Sequence, residues 1–582
     1  MEYIDLVEVF ENLEKTSKRL EKTYILSELL KKATKEDIEY IIYLVQGRIF
    51  PQWDQREIGM SSKLIVKLLS SVTGSSNEDI ERLWSKEGDL GNVAFILIQK
   101  NKQRTLSSYK LTVKKVIENL RKLAELEGIG TVNKKIQLVA ELLTSAKPLE
   151  AKFIVKNVLG TLRVGIAGGI LRDSIVWAFF DKEIELNYNK EEKTFDVNRE
   201  KYNYYVDSVQ RAYDMTNDFS KVALLIGKNG IKNLEKEKLS PGNPINVMLY
   251  QKAEDIEDAF KIVGKPCAFE FKYDGIRLQI GKDSSGKITV FTRRLEDVTK
   301  QFPEVVLYVD KYVNSKTFIL DSEAVGYNPK TKKYLPFQSI SQRIKRKYDI
   351  KSMSEKFPVE LNIFDIMYYN EEVLLNKPFK ERRKILEKIT KQEKLKLVLA
   401  RQLITSDKKE AEKFFKESLA QGEEGVMAKN LDGIYRPGSR VGYGVKIKPT
   451  ADTFDLVIVK AEWGEGKRSK WLTSYTVACK HNDNLLEVGK VSTGLKEKGD
   501  ELTFDYMTKT LKELIKEEKG RNVVVKPEIV MEVGYSEIQK SPTYSSGYAL
   551  RFPRVIQLRP DRSIKDIYTL DDIKIAYKKQ KK

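Results

Sequence analysis

The spacing of apolar residues changes once along the chain, and this change separates parts that must fold differently. Up to about Leu234, apolar residues recur every three or four positions, as in LTVKKVIENLRKLAEL at 111–126, which predicts amphipathic helices. Residues 233–246, NLEKEKLSPGNPIN, combine charge with two prolines and a glycine, which interrupt regular structure. We therefore expect an all-α domain over residues 1–235.

Beyond this boundary an alternation with a period of two predominates, which is typical of strands. It is present in 267–281, 287–294, 317–327 and 359–369, with helical segments such as 380–389 between them. This pattern predicts an α+β domain over 236–448. After about Pro449, short strands separated by Gly-rich or polar turns predict a small β-barrel over 449–582.

An excess of positive charge indicates a polyanionic partner. The chain carries 104 Lys and Arg against 84 Asp and Glu, a formal net charge of +20, which suits nucleic acid or an anionic membrane surface. It has no run of 18 apolar residues and starts on an acidic amphipathic segment, so we expect a soluble, unexported, cytoplasmic protein. Two cysteines cannot form a cysteine-rich zinc site. Abundant Lys and Glu are typical of proteins from hot environments.

The usual nucleotide-binding signatures are absent from the sequence. It contains neither a GxxxxGK[ST] phosphate loop nor a GxGxxG turn between a strand and a helix. The stretch FEFKYDGIRLQI at 269–280 alternates, which predicts one strand with Glu270, Lys272 and Asp274 on one face and aromatic residues on the other. Such a strand would hold a lysine among carboxylates, although an ordinary surface strand has the same pattern.

KYDG at 272–275 resembles the nucleophile motif of the covalent nucleotidyltransferases, which include ATP-dependent DNA ligases, RNA ligases and messenger RNA capping enzymes. Further segments resemble the other motifs of that superfamily in their usual order: TRRLEDVT (292–299), LDSEAV (320–325), FDIMY (364–368), EEGVMAK (423–429), VKIKP (445–449) and RFPRVIQLRPDR (551–562). The helical third, with LGTLRVGIAGG at 159–169, is similar to the DNA-binding domain of replicative ligases. Taken whole, the chain resembles archaeal ATP-dependent DNA ligases.

This resemblance implies a multidomain fold: an all-α DNA-binding domain, an α+β nucleotidyltransferase (adenylation) domain and a carboxyl-terminal OB-fold β-barrel. It implies sealing of nicks in duplex DNA during replication, repair and recombination. Lys272 matches the nucleophile that would carry AMP as a phosphoramidate, and nearby cations or burial must lower its pKa for it to attack. Mg²⁺ is the implied metal, with Mn²⁺ as a substitute, and we expect a monomer.

Other residues receive roles only through the resemblance. Glu270 matches the acid beside the adenine, Phe364 the aromatic residue that stacks on it, and Glu323 and Glu424 the carboxylates tied to ribose and divalent metal. The remaining matches contact phosphate, ribose or the departing pyrophosphate: Arg277, Arg293, Lys429, Lys446, Lys448, Arg559 and Asp561.

Two positions depart from the family pattern. The last motif commonly ends in lysine, whereas Arg562 stands here and keeps the charge without the compact ammonium. Gly444 stands where many relatives carry an aromatic residue, which affects the local packing.

The amino-terminal third offers two candidate binding sites. Arg163, with Gly160 and Gly165 beside it, resembles a phosphate contact from a loop between helices, although it also fits a helix packing joint. QRTLSSYK at 103–110 partly resembles a sliding-clamp peptide through Gln103, Leu106 and Tyr109, but Lys110 replaces the second aromatic residue.

Three alternatives remain to be compared with a nick-sealing enzyme. A capping enzyme or RNA ligase leaves the long helical domain unexplained. An NAD-dependent ligase carries a four-cysteine zinc site, which two cysteines cannot supply. A catalytically silent DNA-binding scaffold explains the charge but not the joint presence of Lys272, Glu323 and Glu424 with the paired lysines.

Overall fold

The structure is a computed structural model that describes residues 1–54, 56–100, 109–126, 128, 130–236, 239–344, 346, 348–438, 440–449, 452–497 and 502–580, without the side chains of 228, 229, 338, 440, 441, 467 and 579. The chain forms two compact units. The first comprises Met1–Gly74 and Ala94–Pro449, and the second comprises Ser75–Val93 and Thr450–Lys582. The division of residues 1–448 at residue 235 stays a prediction.

Residues before 236 are almost entirely helical, as their periodicity predicts. The helices are α1 Tyr3–Lys15, α2 Arg19–Lys32, α3 Lys35–Val45, α4 Ser62–Thr73, α5 Asn77–Glu87, α6 Leu90–Lys100, α7 Val113–Glu125, α8 Thr131–Ser145, α9 Pro148–Val158, α10 Gly168–Phe179, α11 Arg199–Thr216, α12 Phe219–Asn229 and α13 Ile231–Glu235. In α7 the side chain of Thr112 accepts a hydrogen bond from the Lys115 N–H, which caps the helix start. Its apolar stripe is fully buried, so the prediction for 111–126 is confirmed.

One hairpin interrupts the helices, which the expectation of an all-α region did not include. Strands β1 Asn187–Asn189 and β2 Thr194–Asp196 pair antiparallel. Their aromatic residues Tyr188 and Phe195 lie 5.6 and 5.2 Å from the ring of Trp177, centroid to centroid. The hairpin therefore covers Trp177 of α10 with two aromatic side chains. Strands of three residues are too short to be predicted from the periodicity of the sequence.

Residues 239–248, which include both prolines, form no helix or strand, yet they pack against the following sheet. Ile245 and Met248 are buried, and the amide of Gln279 exchanges hydrogen bonds with the backbone of Ile245 at 2.5 and 3.2 Å. The turn residues thus end the helical region without forming an exposed linker.

Residues 249–447 build two sheets. The strands are β3 Leu249–Lys252, β4 Cys267–Phe271, β5 Ile276–Lys282, β6 Ile288–Thr292, β7 Phe318–Gly326, β8 Val359–Tyr369, β9 Glu372–Val373, β10 Leu397–Leu399, β11 Gln402–Thr405, β12 Val426–Asn430 and β13 Arg440–Ile447. The helices are α14 Ile256–Val263, α15 Pro303–Tyr312, α16 Phe337–Ser341, α17 Ile350–Lys356, α18 Phe379–Ile389 and α19 Lys408–Ala420. The six-stranded sheet has the order β10-β8-β7-β5-β6 with β9 paired to β8, and the five-stranded sheet has the order β11-β4-β12-β13-β3.

Each sheet has its own core. Helices α15 and α18 bury residues such as Val305 and Leu386 against Leu278 and Leu320 of the six-stranded sheet. Helices α14 and α19 bury Phe260 and Phe414 against the five-stranded sheet. The expected α+β architecture is confirmed, and β4 and β5, which are consecutive in sequence, belong to different sheets.

The second unit is rich in strands, as expected. Its strands are β14 Thr453–Trp463, β15 Leu472–His481, β16 Asn484–Val491, β17 Ile515–Lys519, β18 Asn522–Val525, β19 Val530–Gly534, β20 Glu537–Lys540, β21 Tyr548–Arg551 and β22 Arg554–Leu558, with helices α20 Phe504–Lys512 and α21 Leu570–Lys579. Strand β14 pairs with β15, β18 and β19, and β19 also pairs with β22. Among the described residues of the chain, no helix is long and apolar enough to cross a membrane.

Candidate active site

The segment 269–280 is not the single alternating strand that its sequence predicts, and this prediction is wrong. Residues 272–275 form a turn through which the chain leaves β4 and enters β5 in the other sheet. A Cβ at Gly275 would collide with the carbonyl oxygen of Ala324 on β7, so only glycine allows this close approach. Lys272 therefore lies where the two sheets meet, at the start of a tight turn.

Backbone hydrogen bonds fix this turn to the segment before β12. The Lys272 N–H donates to the carbonyl of Gly425 and the Glu424 N–H donates to the carbonyl of Lys272, both at 2.9 Å. The Asp274 N–H donates to the carboxylate of Glu423 at 3.0 Å. Sequence reasoning did not select Glu423, although it stands beside Glu424 in the EEG segment.

An ion-paired cluster forms around the lysine of this turn. One carboxylate oxygen of Glu424 lies 2.5 Å from the Nζ of Lys272 and 2.5 Å from the Nζ of Lys448. Burial alone would raise the pKa of Glu424, but these two ammonium groups hold it at about 2. Glu424 is thus an anion at neutral pH. It orients Lys272 through their ion pair and is a weak proton acceptor.

The two lysines of VKIKP lie at the end of β13 and just beyond it. Val445 and Ile447 point into the core of the five-stranded sheet, so Lys446 between them lies on the opposite face of β13. Lys448 follows the end of the strand and reaches Glu424.

Glu270 occupies a second, buried part of the site. Its side chain is 2% exposed, with one oxygen 2.6 Å from the Nζ of Lys429 and the other accepting a hydrogen bond from the Gln402 amide at 2.9 Å. Burial would lower the pKa of Lys429, but Glu270 and neighbouring anions raise it above the usual value. Lys429 therefore lies with Glu270, whereas Lys448 lies with Glu424.

An aromatic ring lies close to two cations in this part of the site. The ring centroid of Phe364 is 4.8 Å from the Nζ of Lys429 and 5.3 Å from the guanidinium carbon of Arg277. Arg277 also makes a bidentate ion pair with Asp321, at 2.9 and 2.6 Å. Sequence reasoning missed Asp321, which precedes Glu323 by two residues on β7.

Glu323 is a half-buried carboxylic acid close to the Glu424 cluster. Burial raises the pKa of Glu323 to about 8; Lys272 and Arg277 offset this in part, and Glu424 adds to it. A divalent cation placed here would favour the ionised form of the Glu323 carboxyl. Within the described part of the chain, no group of three or more His, Cys, Asp or Glu side chains is arranged to hold a metal.

The raised pKa of Glu323 predicts a pH-dependent stability. The folded protein keeps a proton that the unfolded chain releases above the ordinary glutamate pKa of 4.5, so stability is lost as the pH rises from about 4.5 to about 8. Glu323→Gln removes this loss. In EDTA, we expect the variant to melt about 2–6 °C above the parent at pH 8.5 and much closer to it at pH 5. A difference in melting temperature that is the same at both pH values would contradict this.

Arg293 and Gly444 are the remaining predicted positions within residues 236–448. Arg293 directly follows β6 with its side chain exposed, and β6 pairs with β5, which carries Arg277. A Cβ at Gly444 would collide with the ring of Tyr250 from β3, which fills this space instead. Tyr250 thus explains why a glycine fits where many relatives have an aromatic residue.

Arg163 lies in the loop between α9 and α10, and its side chain is exposed. Leu162 and Val164 on either side are buried, and the Nη1 of Arg163 donates to the carbonyls of Gly160 and Leu162 at 2.9 and 2.8 Å. The loop therefore presents a guanidinium to solvent on a fixed backbone.

The clamp-peptide residues fall only partly within the described residues. Gln103 and Leu106 lie outside the described residues. Tyr109 is 40% exposed and its hydroxyl donates to the carboxylate of Glu141 at 3.1 Å.

Arg559 and Asp561 lie in the second unit and form an ion pair. The Nη2 and Nε of Arg559 lie 2.8 and 3.0 Å from the two carboxylate oxygens of Asp561. The arginine side chain is 21% exposed and the aspartate 60%.

Comparisons with known proteins agree with the motifs. Family models described as DNA ligase N terminus, ATP dependent DNA ligase domain and ATP dependent DNA ligase C terminal region match residues 2–176, 247–448 and 468–562. The DNA ligase of Nanoarchaeum equitans is 45% identical over 100% of this chain and 99% of its own length. That of Methanopyrus kandleri is 39% identical over 99% of both chains.

A solved structure named Pmar-Lig_PreS3 has a similar fold. It aligns with a TM-score of 0.57 and 16% identity over 95% of this chain and 99% of its own. At that identity it supports the architecture alone. With three family models in order and relatives that match end to end, the chain belongs to the family of ATP-dependent DNA ligases.

Proposed function

We propose that this enzyme seals nicks in duplex DNA in three steps through a covalent lysyl-AMP. The observation that carries the proposal is the ion-paired cluster that Glu424 and Lys448 form with Lys272, which begins the turn between the sheets. Lys272 is the residue that matches the family nucleophile. Its neighbours supply the charge that a triphosphate substrate requires.

In the first step the unprotonated Nζ of Lys272 attacks the α-phosphorus of ATP. A P–N bond forms, the bond from the α-phosphorus to the bridging oxygen breaks, and pyrophosphate leaves. The ammonium proton goes to solvent or phosphate, since Glu424 with a pKa of about 2 is a weak base. Lys448, paired with Glu424, is positioned to exchange that carboxylate for phosphate oxygens.

In the second step an oxygen of the DNA 5′-phosphate attacks the AMP phosphorus, and the P–N bond breaks while Lys272 recovers a proton. In the third step the 3′-hydroxyl attacks the activated 5′-phosphate, loses its proton, and AMP leaves. Phe364 and Glu270 would hold the adenine, since they offer a ring face and a buried carboxylate on either side of Lys429.

Mg²⁺ fits the carboxylates that are present. It commonly binds through one or two carboxylates together with substrate phosphates and water, and it offsets charge that develops on phosphoryl oxygens. Glu323 and Glu424 would hold the Mg²⁺. Glu424 is near enough to Glu323 to contribute to the raised pKa of Glu323.

The proposal extends to the whole chain. The carboxyl-terminal strands would form the OB-fold barrel that the family resemblance implies, with Arg559 and Asp561 acting on the pyrophosphate. Nicks that arise in replication, repair and recombination would be its substrates. Clamp binding through Gln103, Leu106 and Tyr109 stays a prediction.

A comparison of ATP labelled at the α-phosphate with ATP labelled at the γ-phosphate tests this function. Incubation with α-labelled ATP and Mg²⁺ should label the protein, and γ-labelled ATP should not. Adding unlabelled nicked duplex should then discharge the label as AMP while the nick is sealed. A DNA-binding scaffold would take up no label from either nucleotide.

The exposed Arg163 loop predicts how DNA is bound. Because a nick offers no sequence to read, affinity should rest on phosphate contacts and fall steeply with salt. Arg163→Ala should weaken binding equally across sequences and lower the slope of log affinity against log salt by about one contact. Lys182→Ala, at an exposed lysine after α10, is the control. An unchanged slope in the Arg163 variant would assign this loop to helix packing.

A further inference from the structure

Asp455 is a buried acid in the second unit to which the motif comparison gives no role. It lies on β14 between Phe454 and Leu456, which point into the core, and its own side chain is 5% exposed. A carboxylate in this position requires positively charged or hydrogen-bonding partners.

Two arginines of the last motif supply those partners. The Nη1 of Arg559 lies 3.3 and 3.0 Å from the two carboxylate oxygens of Asp455. The Nε of Arg562 lies 3.2 Å from one of the same oxygens. One buried carboxylate thus holds two guanidinium groups that would otherwise repel each other.

The two acids that bind Arg559 differ in exposure. Asp561 is 60% exposed, and it lies two residues further along the same segment. Asp455 is buried and belongs to a different strand. An arriving polyanion can therefore displace Asp561 from Arg559 while Asp455 keeps its hold on the Nη1 side.

We propose that Asp455 is a positioning residue for adenylation: it anchors Arg559 so that the Nε and Nη2 side of the guanidinium, now covered by Asp561, is presented to the triphosphate. This inference rests on the proposed function, in which Arg559 acts on the departing pyrophosphate. Asp455 itself touches no substrate in this account.

The same contact explains the arginine at position 562. Its guanidinium binds Asp455 through Nε and also donates from Nη1 to the carbonyl of Asp566 at 3.2 Å. A lysine ammonium on a single flexible stem lacks the planar fork that spans both acceptors. Arg562 is in this account a brace for the Asp455 anchor.

Asp455→Asn tests the proposal in the full-length enzyme. Because the substitution weakens charge-assisted hydrogen bonds to Arg559, we expect the rate of self-adenylation at saturating ATP to fall by about 10- to 100-fold. Sealing of a nick that already carries 5′-AMP needs no triphosphate, so its rate should stay within about twofold of the parent. Glu462→Gln is the matched control, because Glu462 lies on the same strand but pairs with Lys490 rather than with an arginine of the last motif.

A double-mutant cycle separates positioning from folding. If Asp455 acts through Arg559, then Asp455→Asn should have little further effect on adenylation in an Arg559→Ala background. Loss of both adenylation and pre-adenylated sealing, or independent effects of the two substitutions, would overturn the inference. So would full adenylation by Asp455→Asn while Arg559→Ala is impaired. Failure of the parent enzyme to self-adenylate would instead overturn the proposed function.

Discussion

Lys272→Ala should yield no AMP-labelled protein above background after incubation with α-labelled ATP and Mg²⁺. Only an amine at the start of the β4–β5 turn can form the phosphoramidate, and alanine offers no nucleophile. Sealing of ordinary nicks with ATP should be lost as well. Binding to nicked duplex should be retained, since the lysine contributes one charge to a chain of net charge +20.

The variant should still seal a nick that carries a pre-adenylated 5′-phosphate, because the last step does not use the amine. Lys287→Ala is the matched control: Lys287 is exposed in the turn after β5, and its loss should leave labelling unchanged. Labelled AMP on the Lys272→Ala protein would show that another residue is the nucleophile.

Arg382→Met should destabilise the first unit by about 3–5 kcal/mol, measured by urea unfolding at pH 7. The Arg382 and Asp365 side chains are 3% and 1% exposed, and the arginine binds the carboxylate at 2.7 and 3.0 Å. The substitution leaves Asp365 as a buried, unpaired charge. Because Asp365 follows Phe364 on β8, we also expect weaker ATP binding.

Replacing both partners should restore much of the stability. Asp365→Leu with Arg382→Met removes the unpaired charge, and such replacements are often neutral. In the parent, burial would raise the pKa of Asp365, but Arg382 lowers it below the ordinary aspartate value of 3.8. The contribution of the Asp365 ion pair to the free energy of unfolding is therefore present above about pH 4 and is lost as the pH falls further. A double variant as unstable as Arg382→Met would contradict the ion-pair account.

Regular periodicity was sufficient to predict long elements whose apolar side chains recur at a fixed interval. Helix α7 and strand β8 fall within one or two residues of their predicted ranges, because each repeats its pattern over ten or more residues. Motif order predicts that Lys272, Glu424 and Lys448 belong to one site, and in the structure Glu424 forms ion pairs with both lysines.

The remaining features depend on contacts between distant residues. The alternation at 269–280 continues through a turn, and only the close approach of β7 at Gly275 reveals that the chain changes sheets. The ring of Tyr250 on β3 fills the space beside Gly444 on the neighbouring strand β13. Asp365 and Arg382 are 17 residues apart, and Asp455 and Arg559 are 104 apart. No local pattern encodes such pairs.

Mass mapping of the adenylated protein tests the central claim most directly. After incubation with ATP and Mg²⁺, digestion under alkaline conditions that preserve the P–N bond should give one modified peptide, which contains Lys272 and carries one added AMP. Adding nicked duplex DNA should remove that mass as the sealed strand appears. AMP on a different residue, or sealing in which the protein never carries AMP, would contradict the account.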